Sequence, residues 1–342
     1  MDEEEFKKFL EKSMGEKDVQ NSIKIVRETE TFLRSTGANK GLSQASVEDL
    51  LSVIDYFFQN GQNTWENLLA LLRFSRFVGN REVEIALLEL LDGSDVLENI
   101  SSIVKKTMGE NRRRKIFEGI TLPPLGTPSV DKPKTTKKLV ERMETELGEE
   151  KCREVLLNGP HAGPKEEYLP ERKAFLKSED IDDFLRKRHK EYVKELEQHR
   201  KSGTLYFTQE IDEEVLDYVR NTPTCQNGVR EDNIIYVTKI PYNAKRYLNE
   251  KDPKMKRYFY CHCPWVREAI KSDIDISPNF CYCSAGFEKR PWDVIFNQSA
   301  RAEVLETVLK GDLVCRFAIH IPDEYSKPPK SRKQKKKIVA RV

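Results

Sequence analysis

Cysteines in tight pairs are the residues of this chain best suited to chemistry. Cys261-His262-Cys263 and Cys281-Tyr282-Cys283 are separated by seventeen residues, and a fifth thiol comes later in Gly311-Asp312-Leu313-Val314-Cys315-Arg316-Phe317. Thiolates converging from two such pairs suit zinc, which takes about four sulfur or imidazole ligands in a tetrahedron. Five candidates exceed four positions, so either one thiol is spare or one stands beside the metal as a reactive group. Cys261, Cys263, Cys281 and Cys283 carry most weight, because paired spacing favours shared ligation. The metal can be structural, or catalytic and redox-active; reversible disulfides and small apolar core thiols are the other readings. The spacing is unlike the usual ferredoxin runs. His262 is expected on an extended strand, where its side chain points away from both neighbouring cysteines.

These thiols need a scaffold, and the chain is long enough for two or three domains at 342 residues. Up to about residue 118 the pattern is all-helical. Ser46-Val47-Glu48-Asp49 has the capping-box form, and Leu50, Ile54, Phe57 and Phe58 come after it at helical spacing. Asn60-Gly61 and Gly79-Asn80 punctuate the next helices, and Gly93-Ser94 opens another. Short turns between such helices predict a bundle over 1–118. Residues 119–134 hold Pro123, Pro124, Pro128 and Pro133 and read as a linker.

The third region, 135–322, reads as α+β: helices at about 135–147, 149–157 and 178–200, another capped by Thr208, then an antiparallel sheet. Strands are expected over Asn233 to Ile240 and Arg257 to Cys261, with a hairpin of Val304 to Leu309 and Val314 to Ile321 turning at Gly311-Asp312. The expected fold class is therefore α+β, an amino-terminal helical bundle followed by an antiparallel-sheet domain.

Composition narrows the class. Hydrophobic residues make up 38% and charged residues 34%, and no apolar run approaches the roughly eighteen residues that cross a bilayer. The start, Met1-Asp2-Glu3-Glu4-Glu5, is acidic where a signal peptide is basic and then apolar, so a cytoplasmic setting is expected. There, seven cysteines read as metal or redox chemistry rather than as a disulfide framework. Lys327 to Val342 carries eight Lys or Arg and no acid; the +2 total less these eight leaves about −6 for the body. Lacking core formers, 323–342 is expected to be a disordered basic tail rather than a nucleic-acid-binding element.

Over about 257–322 the chain resembles 4-vinyl reductase-type domains, small α+β modules related to aminothiazoline-carboxylate hydrolase-like proteins and to ligand-binding domains of aromatic-sensing bacterial regulators. The resemblance rests on Cys281-Tyr282-Cys283-Ser284-Ala285-Gly286-Phe287, on Leu305-Glu306, and on the Gly-Asp-x-x-Cys-x-Phe pattern at 311–317. It implies zinc ligation by Cys283 and Cys315. A further family cysteine, eight residues before the hairpin one, is Thr307 here; Cys261, Cys263 and Cys281 stand outside the basic pattern and can complete the set. The resemblance also implies a small apolar pocket beside the metal, for which Trp265, Phe280, Phe287 and Trp292 are the candidate lining residues, with core packing as their plainer role.

Weaker candidates complete the inventory. His161 sits in the rigid Asn158-Gly159-Pro160-His161-Ala162-Gly163-Pro164 loop. Glu303 and Glu306 are candidate oxygen ligands or bases near the hairpin. His189 and His199 are expected on a solvated helix face, and His320 in a structural role. No phosphate loop, dinucleotide fingerprint or serine-centred nucleophile elbow is present. Two functions are consistent with these residues. The first is a cytosolic zinc-binding module that binds or senses a small apolar or aromatic molecule while the helical half contacts another protein or a second subunit. The second is a metal- or thiol-dependent hydrolase of the aminothiazoline-carboxylate type. A closed four-sulfur site favours the first, and three protein ligands plus water the second.

Overall fold

The structure, a computed structural model, describes residues 2–36 and 41–326. The expected basic run from Lys327 lies outside the described residues. The architecture is α+β, with a helical amino-terminal region and one small antiparallel sheet.

The first unit comprises 1–94 together with 123–132. Its helices are α1 (Glu3–Glu11), α2 (Glu16–Ser35), α3 (Val47–Asn60), α4 (Trp65–Val78) and α5 (Arg81–Leu91). Local chemistry sets their ends. Ser46 and Asp49 form the expected reciprocal capping box, while Gly61 and Gly79 close α3 and α4 in the left-handed conformation that glycine adopts without steric cost. The apolar stripes, among them Phe6, Val26, Leu50, Phe57, Leu71 and Phe74, bury in a single core.

The boundary expected near residue 118 lies at Ser94/Asp95 instead. Helices α6 (Val96–Met108) and α7 (Glu110–Phe117) belong to the second unit, because Val96, Leu97, Ile100, Val104 and Ile116 bury with Leu139, Val140 and Met143. The proline-rich stretch is packed rather than a free linker. Leu125 lies against the first unit's core, and its carbonyl accepts a hydrogen bond from Asn63 Nδ2 at 3.4 Å.

The second unit continues with α8 (Pro133–Leu147), α9 (Glu149–Leu157), α10 (Leu169–Lys177), α11 (Ile181–Ser202) and α12 (Glu213–Arg220). Strands β1 (Val229–Glu231) and β2 (Ile234–Thr238) come next, then α13 (Ala244–Asn249), α14 (Pro253–Tyr260), α15 (Arg267–Ser272), α16 (Tyr282–Ile295), β3 (Arg301–Glu306), β4 (Arg316–His320) and α17 (Asp323–Ser326). Residues 323–326 are thus ordered helix, not the start of the tail, with Tyr325 packed on Phe296.

Two local expectations need correction. Asp212, not Thr208, caps α12, accepting from Val215 N–H at 3.0 Å. Residues Arg257 to Tyr260 are the last turn of α14, not a strand. Asp252 accepts from the Lys254 and Met255 N–H groups and Pro253 takes the first helical position, a start signal that outweighs the aromatic content of 258–260.

The sheet runs β1-β2-β4-β3, antiparallel throughout. Ile235 opposes Ile319 and Val237 opposes Phe317, while Ala302 and Val304 continue the same apolar face across β4. That face packs on α16. The β3–β4 hairpin closes through Thr307, whose N–H donates to Asp312 Oδ2 at 2.8 Å, with Gly311 at φ +105° making the reversal.

Candidate metal centre

Three separate stretches deliver the thiols. Cys261 caps α14, donating its N–H to the Arg257 and Tyr258 carbonyls, and the Cys263 carbonyl accepts from Val266 and Arg267 at the start of α15. A 3-10 turn, Pro278–Cys281, runs into α16 and places Cys281 before that helix and Cys283 in its first turn. Cys315 directly precedes β4. Tyr260 ties two of these stretches together. Its buried hydroxyl accepts from Lys239 N–H at 3.2 Å, donates to the Lys239 carbonyl at 2.8 Å, and lies 3.3 Å from the Cys315 carbonyl.

All five thiols fall in one neighbourhood. Cys261, Cys281, Cys283 and Cys315 are buried and Cys263 half-buried, without disulfides. Burial, then the charges of Cys263 and Cys315, pushes the Cys261 thiol up. Burial together with Cys315, Cys261 and Cys263 does the same at Cys281, partly opposed by a hydrogen bond from Thr307. Cys283 is raised by burial and by Cys263. Two cations border the group: Arg267 eases ionisation of Cys261, and Lys239 that of Cys283 and Cys315. Burial raises the Cys152 and Cys225 thiols too, and the acids that add to it are Glu144 and Glu288 respectively.

Soft donors, burial and mutual electrostatic penalty are the chemistry that a thiolate-binding cation offsets. Among the described residues, however, no three or more His, Cys, Asp or Glu side chains already stand as a ready ligand group. In type and number the five thiols match the donors that zinc takes.

The other candidates divide. His262 is in a loop, not a strand, and its Nε2–H donates to the Ile240 carbonyl while its ring sits edge-on to Tyr242 at 5.5 Å. His320 Nε2 is 2.8 Å from Glu303 Oε1, which also takes Arg301 at 2.7 Å; Glu306 faces Arg316 at 3.5 Å. Both acids are therefore paired on the hairpin. His199 bonds Thr204 at 3.0 Å on an exposed face, but His189 is half-buried with Nδ1 lacking a hydrogen-bond partner. His161 lies beside Phe287, ring centres 5.6 Å apart.

The four aromatic rings do not share a pocket. Trp265 and Phe280 bury in the core that holds the thiols. Trp292 buries in a second core with Phe184 and Phe296, since nine residues of helix carry it about 13 Å along α16 from Cys283. Phe287 is half-buried and covered by Lys239, whose Nζ is 4.9 Å from its ring centre. A cleft of about 210 Å³ does open in the same unit, lined by Arg257, Ala269, Ile270, Ile274, Val308 and Leu309, with none of the four rings.

A polar group on the flank of this centre escapes the sequence reading. Lys239 ends the β2 run, and Ser284 and Glu288 lie one turn apart on α16; Lys239 Nζ is 3.2 Å from Ser284 Oγ and 3.6 Å from Glu288 Oε1. A lone lysine closing a β-branched stretch, and an acid four residues after a serine, are the available signals. Thr307 reads in sequence as a lost ligand, yet its hydroxyl donates to Cys281 Sγ at 2.8 Å. No family model, curated protein or solved structure matches the chain. Among the described residues, no helix is long and apolar enough to cross a membrane.

Proposed function

We propose that the second unit is a zinc-binding module in which the Cys261, Cys263, Cys281, Cys283 and Cys315 thiols supply the metal's ligands. The observation that supports this reading is convergence: three separate stretches bring five thiols, four of them buried, within electrostatic reach of one another. Buried thiols crowded in this way resist ionising one after another, and a divalent cation is the partner that makes several thiolates tolerable together.

Zinc held there supplies a cross-link between the end of α14, the start of α16 and the entry to β4. The chain's own residues do the rest. Tyr260 fixes Lys239 and the Cys315 stretch, Thr307 stabilises a charged Cys281 sulfur, and Asp312 holds Thr307 in place. The resemblance to 4-vinyl reductase-type domains agrees with ligation by Cys283 and Cys315. A reducing cytoplasmic setting, a small apolar or aromatic ligand, and contact of the helical half with a partner or second subunit belong to the same reading.

The test is chelation. A strong zinc chelator added to the purified protein is expected to lower the unfolding midpoint of the second unit before that of the first, with zinc alone restoring it. An unchanged midpoint in protein whose zinc has been removed counts against the module.

A further inference from the structure

The cleft beside α15 is built by three stretches of chain, none of which supplies a thiol to it. Arg257 on α14 forms one wall, Ile270 on α15 and the residues 273–276 after it a second, and Val308 and Leu309 in the β3–β4 turn a third. Asp273 ends α15 in the left-handed conformation, φ +55°, and the chain turned there brings Ile274 and Ile276 to the lining. Ile270, Ile276 and Val308 belong to the buried core, and Ile274 and Leu309 pack half-buried against it, so the floor is aliphatic and held in place.

The charges at its rim are unevenly satisfied. Arg257 is half-buried; its Nη1 donates to the Val308 carbonyl at 3.2 Å, and among the described residues no carboxylate pairs with it. Two acids share the lining. Asp273 is already neutralised, since each of its carboxylate oxygens lies 2.8 Å from Lys254 Nζ. Asp275 differs: Lys137 Nζ donates to its backbone carbonyl at 2.9 Å and is itself ion-paired with Glu141 at 2.7 Å, while among the described residues the Asp275 carboxylate accepts no hydrogen bond. The cleft therefore offers one open cation and one open anion, on different walls, above an aliphatic floor.

We infer that this cleft binds a free α-amino acid with an aliphatic side chain. Arg257 takes the carboxylate, whose two oxygens match the guanidinium fork. Asp275 takes the ammonium, and Ile270, Ile274 and Leu309 take the side chain. A simple carboxylic acid meets the like charge of Asp275, and a simple amine meets that of Arg257; a zwitterion satisfies both and leaves no net charge behind. Size agrees, because about 210 Å³ falls short of the roughly 300–1,000 Å³ that drug-sized ligands occupy. None of these residues is a ligand in the zinc reading, so the site stands apart from the metal. Occupancy ties α14, α15 and the hairpin turn together, and that turn also holds Thr307 against Cys281.

Isothermal titration of the full chain tests the site, with L-leucine as the probe and isocaproate and isoamylamine as analogues lacking its amine and its carboxylate. Leucine is expected to bind with a Kd at or below about 1 mM, and each analogue at least about tenfold more weakly. Arg257→Gln, which keeps a donor towards the Val308 carbonyl, should weaken leucine at least about tenfold. Asp275→Asn should do the same while tightening isocaproate, a reversal that damage to the fold cannot produce. Zinc content, read on the same samples, separates the two assignments. Folded protein that binds none of leucine, isoleucine, valine and methionine overturns the inference whether or not zinc is present, whereas leucine binding by protein that takes up no zinc counts against the metal reading alone. Equal affinity for leucine and either analogue, or full affinity in either variant, overturns it too.

Discussion

Thr307 donates its hydroxyl hydrogen to Cys281 Sγ at 2.8 Å, inside the protein. Thr307 therefore meets the thiol centre as a hydrogen-bond donor. A donor at that distance favours the charged sulfur, and burial opposes it.

This pairing makes a reciprocal prediction. Thr307→Val removes the donor at nearly constant volume and should cost about 1 kcal/mol of stability, read by denaturant unfolding. Thr307→Cys adds a further thiol beside Cys281 and should tighten zinc retention about tenfold in competition with a chelator. Equal retention in Thr307→Cys and wild type would place the metal away from Cys281.

Gly286 is required by close approach rather than by backbone conformation. A Cβ there would lie 2.8 Å from the Leu156 carbonyl oxygen and 2.9 Å from Gly159 N, both backbone atoms that cannot swing aside. Gly286→Ala is expected to cost about 1–3 kcal/mol by forcing α16 and the 158–163 loop apart. The loss should appear in denaturant unfolding, with retained stability as the contrary result.

Stability should depend on pH through the thiols. Burial pushes the Cys152 thiol up to about 12, and burial also raises Cys261, Cys281, Cys283 and Cys315. Unfolded thiols titrate near about 8.5, so the native state holds these protons more tightly. That contribution is whole below about pH 8.5 and is lost as pH rises towards the folded values. Buried Tyr206 and Tyr260, also raised by burial, add the same sign from about pH 10. Metal-free protein should therefore show a melting temperature that falls more steeply from about pH 8.5 upward than that of zinc-loaded protein, whose ligating thiols are already ionised while Cys152 keeps its contribution. Parallel curves for the two forms would contradict the assignment.

Much of the helical half is legible in sequence because its signals are local. Ser46 with Asp49 opens α3, and Gly61 and Gly79 end α3 and α4; in the second unit α9 likewise occupies 149–157 as its spacing predicts. Partners distant along the chain decide the features that sequence conceals. The stripe of α6 looks the same whichever core receives it, and only Leu139, Val140 and Met143 place it in the second unit. The aromatic run ending at Tyr260 has strand composition, but Asp252 and Pro253 start a helix ahead of it. At the site, paired spacing points to five thiols; they act on one another electrostatically, but among the described residues no three His, Cys, Asp or Glu side chains stand as a metal-holding group. Lys239 and Glu288 stay hidden, because 48 residues of chain separate two side chains that meet only when the end of the β2 stretch and α16 come together.

The most direct measurement is metal content with sulfur counting: elemental analysis of protein purified without chelator, joined to zinc-edge X-ray absorption on the same sample. About one zinc per chain is expected, with at least three sulfur ligands, reduced in number when Cys281 or Cys315 is replaced by serine. Near-zero metal, together with no uptake when zinc is added to the reduced protein, would contradict the zinc-module assignment.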